Sequence, residues 1–288
     1  MGTKIHASAV VDPKAELADG VEVGPFTVIG PHVKIGRGSV IYNHVTLAGW
    51  TTIGAECQIF PGAVVGTPPQ DLKYQGEKTT LEVGDQTIIR EFATLNPGTA
   101  LGGGQTKVGA HNLLMAYVHI AHDCRVGDHV IIANSAQLAG HVHVDDGARI
   151  SGLVAIHHFC HIGRCAFVAG SARLSIDVPP YTLAEGHPAR MFGVNVEALK
   201  RRGVQPEAID ALKEAFRLLF KKEGPRTEAY EKISALGLDK IPVVEEFVEF
   251  AKTTDRGRHG RGLEAQRATV PPEERDGTKT FRLNDDEE

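Results

Sequence analysis

The stretch LMAYVHIAHDCRVGDHVIIANSAQL, residues 114–138, decides the architecture, because an aliphatic side chain returns at every sixth position: Leu114, Ile120, Val126, Ile132 and Leu138. Outward from it the period reaches back to Val108 and forward through Val144, Ile150, Ile156, Ile162 and Val168 to Leu174. It also governs the amino-terminal part, from Ile5 through Val11, Leu17, Val23, Ile29, Ile35, Ile41, Leu47, Ile53 and Ile59 to Val65, and it returns at Val83, Ile89 and Leu95. A second column, four places after each aliphatic, is small or β-branched at Val33, Ser39, Val45, Thr51, Cys57, Ala63, Val118, Cys124, Val130, Ala136, Val142, Ala148, Val154, Cys160, Ala166 and Ala172. Two inward positions in every six residues fit neither a 3.6-residue helix nor a strict alternation. Each hexad reads as a short strand plus a turn. Three hexads close one triangular coil, and stacked coils let each backbone group pair with the coil above or below at roughly 4.8 Å.

This pattern resembles that of hexapeptide-repeat proteins. The resemblance implies a left-handed parallel β-helix, an exception to the usual right-handed crossover. Two stretches leave the register, TPPQDLKYQGEKTT at 67–80 and PGTALGGGQTK at 97–107, and are expected to loop out of the prism. Loops on a rigid scaffold are frequent sites of function. The paired prolines of Asp177-Val-Pro-Pro-Tyr181 end the strand ladder. Beyond them the period turns helical over Asn195–Arg202, Pro206–Lys222, Thr227–Leu236 and Ile241–Lys252, with Leu212, Phe216, Leu219 and Phe220 on one face of the second helix. The expected organisation is a mainly β prism over 1–190, a helical domain over 191–252, and a disordered charged tail over 253–288.

Composition sets the outer bounds. A chain of 288 residues with 32 glycines, few aromatics and a formal charge of -5 is not a generally nucleic-acid-binding protein. The sequence starts Met-Gly-Thr-Lys without an apolar signal core, and it has no apolar run long enough to span a bilayer, so a cytoplasmic enzyme without stable membrane insertion is the expectation. Its four cysteines form no CxxC pair and are expected to be free thiols. Cys57, Cys124 and Cys160 take the inward slot, while Cys165 is expected to point outward.

The hexad frame turns the histidines into geometry. His122 lies two places after Ile120, Gly140 two places after Leu138, and His158 two places after Ile156, so the three stack as a column on one outer face. Glycine leaves a side-chain-sized gap and an approachable N–H beside an imidazole. That pairing suits a general base next to an anion-stabilising donor. His119, Asp123, His141, His143, His157 and His161 surround the column. Any one of them alone would read as a solvated polar residue; the cluster points to chemistry or to a metal.

The motifs Gln70-Asp-Leu-Lys-Tyr74, Gly102-Gly-Gly104 followed by Thr106-Lys-Val-Gly109, Asn112-Leu-Leu-Met115, His119-Ile-Ala-His-Asp-Cys124, Leu138-Ala-Gly-His-Val142, Asp177-Val-Pro-Pro-Tyr181 and Phe192-Gly-Val-Asn195 through Leu199-Lys-Arg-Arg-Gly203 together resemble the acyl carrier protein-dependent UDP-N-acetylglucosamine O-acyltransferases of lipid A biosynthesis. The resemblance covers the chain to about Lys252. It implies transfer of an (R)-3-hydroxyacyl group from acyl carrier protein to the sugar 3-hydroxyl, with His122 as general base, Asp123 orienting it and the Gly140 N–H as oxyanion donor. Neither a metal nor another cofactor is needed, since the thioester is already activated. The same resemblance places Gln70, Asp71, His119, His141, His157 and His158 around the sugar, Lys73 on the donor side, Gly170 on the acyl chain, and Asn195, Glu197, Arg201 and Arg202 at the nucleotide and carrier groups, between subunits of a homotrimer. Two adjacent guanidinium groups suit a diphosphate or an acidic helix. On the residues alone, Asp71 could equally cap a turn, and Lys200-Arg-Arg202 could be a helix C-terminal charge cluster. His158 stands where the family usually has glutamine, and Pro188 replaces a histidine that in some members limits acyl length. With Gly170 retained, these imply room for a longer chain. Three rival readings stand beside this one: N-acylation of the 3-amino sugar analogue, a zinc-dependent lyase of the gamma carbonic anhydrase type, and a non-catalytic solenoid.

Overall fold

The computed structural model describes residues 2–266, and the rest of the expected tail lies outside the described residues. Most strands are two residues long and each pairs in parallel with the strand one coil on, as Lys4 with Glu22 and Ile131 with Arg149. They build the three faces of a left-handed parallel β-helix. Face A holds eleven strands, face B nine and face C eight. The aliphatic column fills the prism: Ile29, Ile41, Leu47, Ile59, Ile89, Leu114, Ile120, Ile132 and Leu138 are at most 1 % exposed. Burying one such side chain stabilises the fold by about 1.5–3 kcal/mol. Only the first rungs are open, with Ile5 half exposed. The second column is equally buried, and where it is polar it is paired: Thr27 Oγ1 donates to the Tyr42 carbonyl at 2.6 Å, Ser39 Oγ to the Gly54 carbonyl at 2.8 Å.

Both interruptions leave the stack intact. Gln58 pairs with Ile88 and Ile88 with Leu113, so each coil resumes in register after its insertion. The excursions are shorter than the register break suggests, because strands Thr80–Val83 and Gln105–Val108 are four residues long and already pair Thr80 with Gln105.

After the last hexad strand, Arg173–Leu174, Val178 makes a single bridge to Ile162. A hairpin of Thr182–Gly186 and Ala189–Val194 then caps face A, its first strand parallel to Phe167–Val168. The six-residue period carries no signal for this hairpin. Four helices follow: α1 (Val196–Arg201), α2 (Pro206–Phe220), α3 (Arg226–Ala235) and α4 (Pro242–Asp255). They share a second core of Leu199, Leu212, Phe216, Ile233, Val244 and Phe247. Cys165 leaves the prism as expected but is buried against this core, whereas Cys57, Cys124 and Cys160 pack inside; all four are free thiols. The helical unit is tied to the prism by Glu246, which accepts from Arg164 Nε at 3.0 Å and from the Tyr181 hydroxyl at 2.5 Å.

A disordered tail from residue 253 is corrected for residues 253–266. Helix α4 runs through Asp255, and Gly260–Gln266 forms a 3-10 turn. What composition does not reveal is the anchor: the Arg261 N–H donates to both oxygens of the Asp177 carboxylate at 3.0 Å. Gly260 has φ +68°, and a Cβ there would lie 2.3 Å from that carboxylate. Only glycine fits the approach.

Candidate functional site

At most prism corners the residue three places after the aliphatic adopts left-handed backbone, including Asp123 (φ 60°), His141 (φ 63°) and Phe159 (φ 61°) at the corner between faces B and C. Non-glycine residues lose roughly 1–2 kcal/mol in that region. The coil geometry imposes the turn, and it aims these side chains outward from an edge. The residue before it, two after the aliphatic, is proline at 13, 25, 31 and 61, so the ladder needs no N–H at that address. His122, Gly140 and His158 occupy it on successive coils. The predicted column exists: a Cβ on Gly140 would lie 2.5 Å from Cε1 and 2.7 Å from Nε2 of His122, so the imidazole lies across the space the glycine leaves. The Gly140 N–H meets no protein acceptor among the described residues.

Asp123 fixes the tautomer of His122. Its Oδ2 lies 2.8 Å from His122 Nδ1, and the same carboxylate accepts from the Thr99 N–H at 2.9 Å and the Thr99 hydroxyl at 2.7 Å. Burial alone would push the Asp123 carboxyl up, but these hydrogen bonds from His122 and Thr99 outweigh it and hold it below its ordinary value. An ionised carboxylate only accepts, so Nδ1 carries the proton and Nε2 keeps its lone pair. Nε2 faces Asp71, whose Oδ2 is 3.8 Å away. His141 packs edge-on to His122, stacks on Phe159 at 4.4 Å, and brings Nε2 to 3.9 Å from Asp123.

The two insertions build the walls of this corner. The second supplies Thr99 and Gly102, whose Cβ would fall 2.1 Å from the Asp123 carboxylate; the glycine run keeps that approach open. Asp123 N–H itself donates to Thr106 Oγ1 at 2.7 Å. The first insertion supplies Asp71, which both caps its own turn, accepting from the Lys73 N–H at 3.0 Å, and faces His122. Asn96 Nδ2 holds the first loop through the carbonyls of Thr67 and Pro68, and Glu77 accepts from the Ala100 N–H of the second.

His119 lies on face B, its Nδ1 2.7 Å from Thr94 Oγ1; burial and the charge of His122 push its imidazole down. A groove runs beside it along Gln137, Ala139, Ala155, His157, Arg173 and Leu174. Beside His157 in this lining, Arg261 Nη1 donates to the His158 carbonyl at 2.7 Å and lies 3.1 Å from His157 Nδ1. A larger cavity of about 850 Å³ between the hairpin and α2 and α4 has no histidine in its lining. Within this one chain, other expected residues lie elsewhere. Gln70 is exposed on the first loop, and Gly170 sits at the corner between faces A and B over Gly152. Asn195 caps α1, accepting from the Ala198 N–H and donating to the Cys165 carbonyl at 2.9 Å; Glu197 pairs with Lys200 at 3.8 Å. The guanidinium of Arg202 covers Gly147 at the corner between faces C and A, beside the exposed Arg201. Thr94, Thr99 and Arg261 were not found by sequence reasoning: threonines look like strand or turn residues, and only the fold carries residue 261 to the prism.

Donor atoms of His122, Asp123 and His141 lie within 4.8 Å of one another, as do those of His143, Asp145 and His161, so either trio could hold an ion. Comparison with known proteins bears on the first. The family described as bacterial transferase hexapeptide (six repeats) matches residues 15–49 and 105–140, and the one described as UDP N-acetylglucosamine O-acyltransferase, domain 2, matches 177–259. The chain is 46% identical over 254 residues to the acyl-[acyl-carrier-protein]–UDP-N-acetylglucosamine O-acyltransferase of Thermodesulfovibrio yellowstonii, covering 88% of this chain and 98% of that protein. The chain belongs to that O-acyltransferase family. The corresponding protein of Herminiimonas arsenicoxydans is also 46% identical, over 256 residues. Among solved structures, the UDP-N-acetylglucosamine acyltransferase of Francisella novicida is 41% identical with a TM-score of 0.81, covering 85% of this chain and 90% of that one. O-acyltransferase relatives over nearly their full length do not favour a lyase, an N-acyltransferase or an inert solenoid. No described helix is long and apolar enough to cross a membrane.

Proposed function

We propose that this chain moves an (R)-3-hydroxyacyl group from acyl carrier protein to the 3-hydroxyl of UDP-N-acetylglucosamine, the first step of lipid A biosynthesis. The observation that carries the chemistry is the His122 imidazole, held through Nδ1 by an anionic Asp123 and lying across Gly140. Nε2 takes the proton of the 3-hydroxyl as its oxygen attacks the thioester carbonyl. The Gly140 N–H stabilises the tetrahedral oxyanion, and collapse expels the carrier thiolate, which receives the proton from His122. Asp123 stabilises the imidazolium formed between these steps. Positioned base catalysis supplies about 10²–10⁴ of rate and a donor aimed at the oxyanion about 10²–10³.

Asp71, His119, His141 and His157 surround the acceptor sugar, with Gln70 and His158 at its margin, Lys73 on the donor side and Gly170 along the acyl chain. Asn195, Glu197, Arg201 and Arg202 lie with a different corner of the prism from His122, which is what a site shared between copies of the chain requires. A homotrimer completes it. Exposed apolar side chains at one corner address, Phe92 (52 %) and Tyr117 (56 %) on adjacent coils and Leu153 (67 %) two coils on, past Ser135, support such packing. The substrates place the enzyme in the cytoplasm.

The test is incubation of the full chain with UDP-N-acetylglucosamine, or its 3-amino analogue, and a ladder of 3-hydroxyacyl carrier proteins, with products identified by mass. An O-acylated UDP-sugar is expected, with turnover at the longer chain lengths. Acyl transfer only to the 3-amino analogue, or none to either sugar, overturns the reading.

A further inference from the structure

On the flat outer side of face C, away from the corner that holds His122, a second histidine cluster stands outside the site proposed for acyl transfer. His143 and His161 are paired residues of adjacent parallel strands, and their rings stack 4.5 Å apart at an interplanar angle of 10°. Both turn Nε2 towards one oxygen of Asp145: 3.0 Å from His161 and 3.7 Å from His143. With ligand bonds of 2.0–2.2 Å, neighbouring donors of a tetrahedral zinc ion lie roughly 3.3–3.6 Å apart. The two observed spacings bracket that range, and one donor atom from each residue lies within 4.8 Å of the others. The side chains are neither sealed off nor free in solvent, at 44 %, 30 % and 12 % exposed for His143, Asp145 and His161. Two imidazoles and one carboxylate are borderline nitrogen and oxygen donors, the set that suits zinc over magnesium or calcium.

A candidate fourth donor stands on another part of the chain. His259, in the segment after α4, places its ring 6.3 Å from that of His161 and is exposed, so side-chain rotation alone changes its reach. Phe250 of α4 packs on the His161 ring at 4.6 Å. Two residues past His259, Arg261 bonds the His158 carbonyl and the Asp177 carboxylate.

We propose that His143, Asp145 and His161 form a zinc(II) site, closed by His259, that clamps the segment after α4 to the prism. The prism offers a preformed three-donor face, and the fourth donor links it to the segment carrying Arg261. This inference is independent of the acyl-transfer reading.

The experiment uses the full chain, stripped with a chelator and titrated with zinc against a chromophoric competitor, and in parallel with cobalt(II), whose visible bands report tetrahedral coordination. The expected result is one competitor-resistant zinc per chain and a tetrahedral cobalt spectrum. His143→Ala and His161→Ala should each weaken binding about 100-fold, and His259→Ala about 10-fold. Asp145→Asn, nearly the same shape, should lose the zinc with an unchanged circular dichroism spectrum, which separates ligand loss from misfolding. His141→Ala should leave the affinity unchanged. The proposal is overturned if the parent protein binds no zinc against the competitor. It is equally overturned if tight zinc survives His161→Ala and Asp145→Asn, or disappears with His141→Ala, which would put the ion at the His122 corner.

Discussion

Two clusters on this prism have the same composition, two imidazoles and one carboxylate, yet only one is built to move a proton. At the corner, the Asp123 side chain is 1 % exposed and receives hydrogen bonds from Thr99 twice and from His122; on face C, Asp145 is 30 % exposed and lies beside two rings that stack on each other. The corner imidazole has an empty neighbour in Gly140, while the face C imidazoles have each other. The difference comes from topology. A corner turns backbone into the left-handed region and presents side chains at an edge, and the insertion carrying Thr99 and Gly102 folds over that edge alone. Residue type supplies candidates, and the loop that buries and charges the carboxylate selects among them.

The largest effect that can break this contrast is His122→Ala, expected to lower kcat by about 10²–10⁴ without changing the fold. In the same assay His161→Ala should stay within about twofold of the parent. Comparable losses in both would mean that the two clusters share the chemistry.

Asp123→Asn comes next, with kcat expected to fall about 10²-fold or more, because a neutral amide cannot hold Nδ1 protonated or stabilise the imidazolium. Gly102→Ala should reproduce part of that loss, since its Cβ would fall 2.1 Å from the Asp123 carboxylate. Gly140→Ala is sharper still as a probe of geometry. A Cβ 2.5 Å from the ring must push His122 aside, so kcat should drop about tenfold or more while the melting temperature holds, the φ of Gly140 lying outside the left-handed region. Single-turnover rates separate these losses from changes in binding. If Gly140→Ala turned over normally, the column would be a coincidence of packing.

Most of the prism is legible in the sequence because its period is an energetic requirement: every sixth side chain fills one interior, and where the period is interrupted the chain loops out and re-enters in register. The address of His122 above Gly140 follows from the same arithmetic. The contributions of Thr99 and Gly102 do not, since an insertion out of register has no address until it folds. Asn195, Glu197, Arg201 and Arg202 were legible only through resemblance; within one chain they lie with a different corner, and no periodicity links them to His122. The cap hairpin and the ordered segment through Gln266 escaped because neither repeats. Arg261 lies just past the family match that ends at 259, yet it touches His157 and His158. If that contact positions His157 at the groove, Arg261→Ala should raise KM for the UDP-sugar about threefold and leave kcat within twofold. Arg261→Lys should not restore it, because a single ammonium cannot copy the planar fork.

The smallest expected effect concerns stability and pH, and it tests how deeply the corner's neighbourhood is buried. His119 has its folded imidazole value pushed below 6.5 by burial and by the charge of His122. Above that value the ring is neutral in both folded and unfolded chains and contributes no pH dependence. As pH falls below 6.5, the unfolded chain takes a proton that the folded chain refuses until its own lower value is reached. The unfolded state then binds more protons, so stability declines across that window and levels off below it. Thermal melts at pH 7.5 and pH 5 should show a larger drop for the parent than for His119→Gln, by about 2 °C. His143, pushed down to about 4 by burial and by the charge of His161, is affected in the same sense, so His143→Gln should narrow the drop more than His119→Gln does. The opposite order would mean that the corner, rather than the flat face, is where this prism shields its histidines from water.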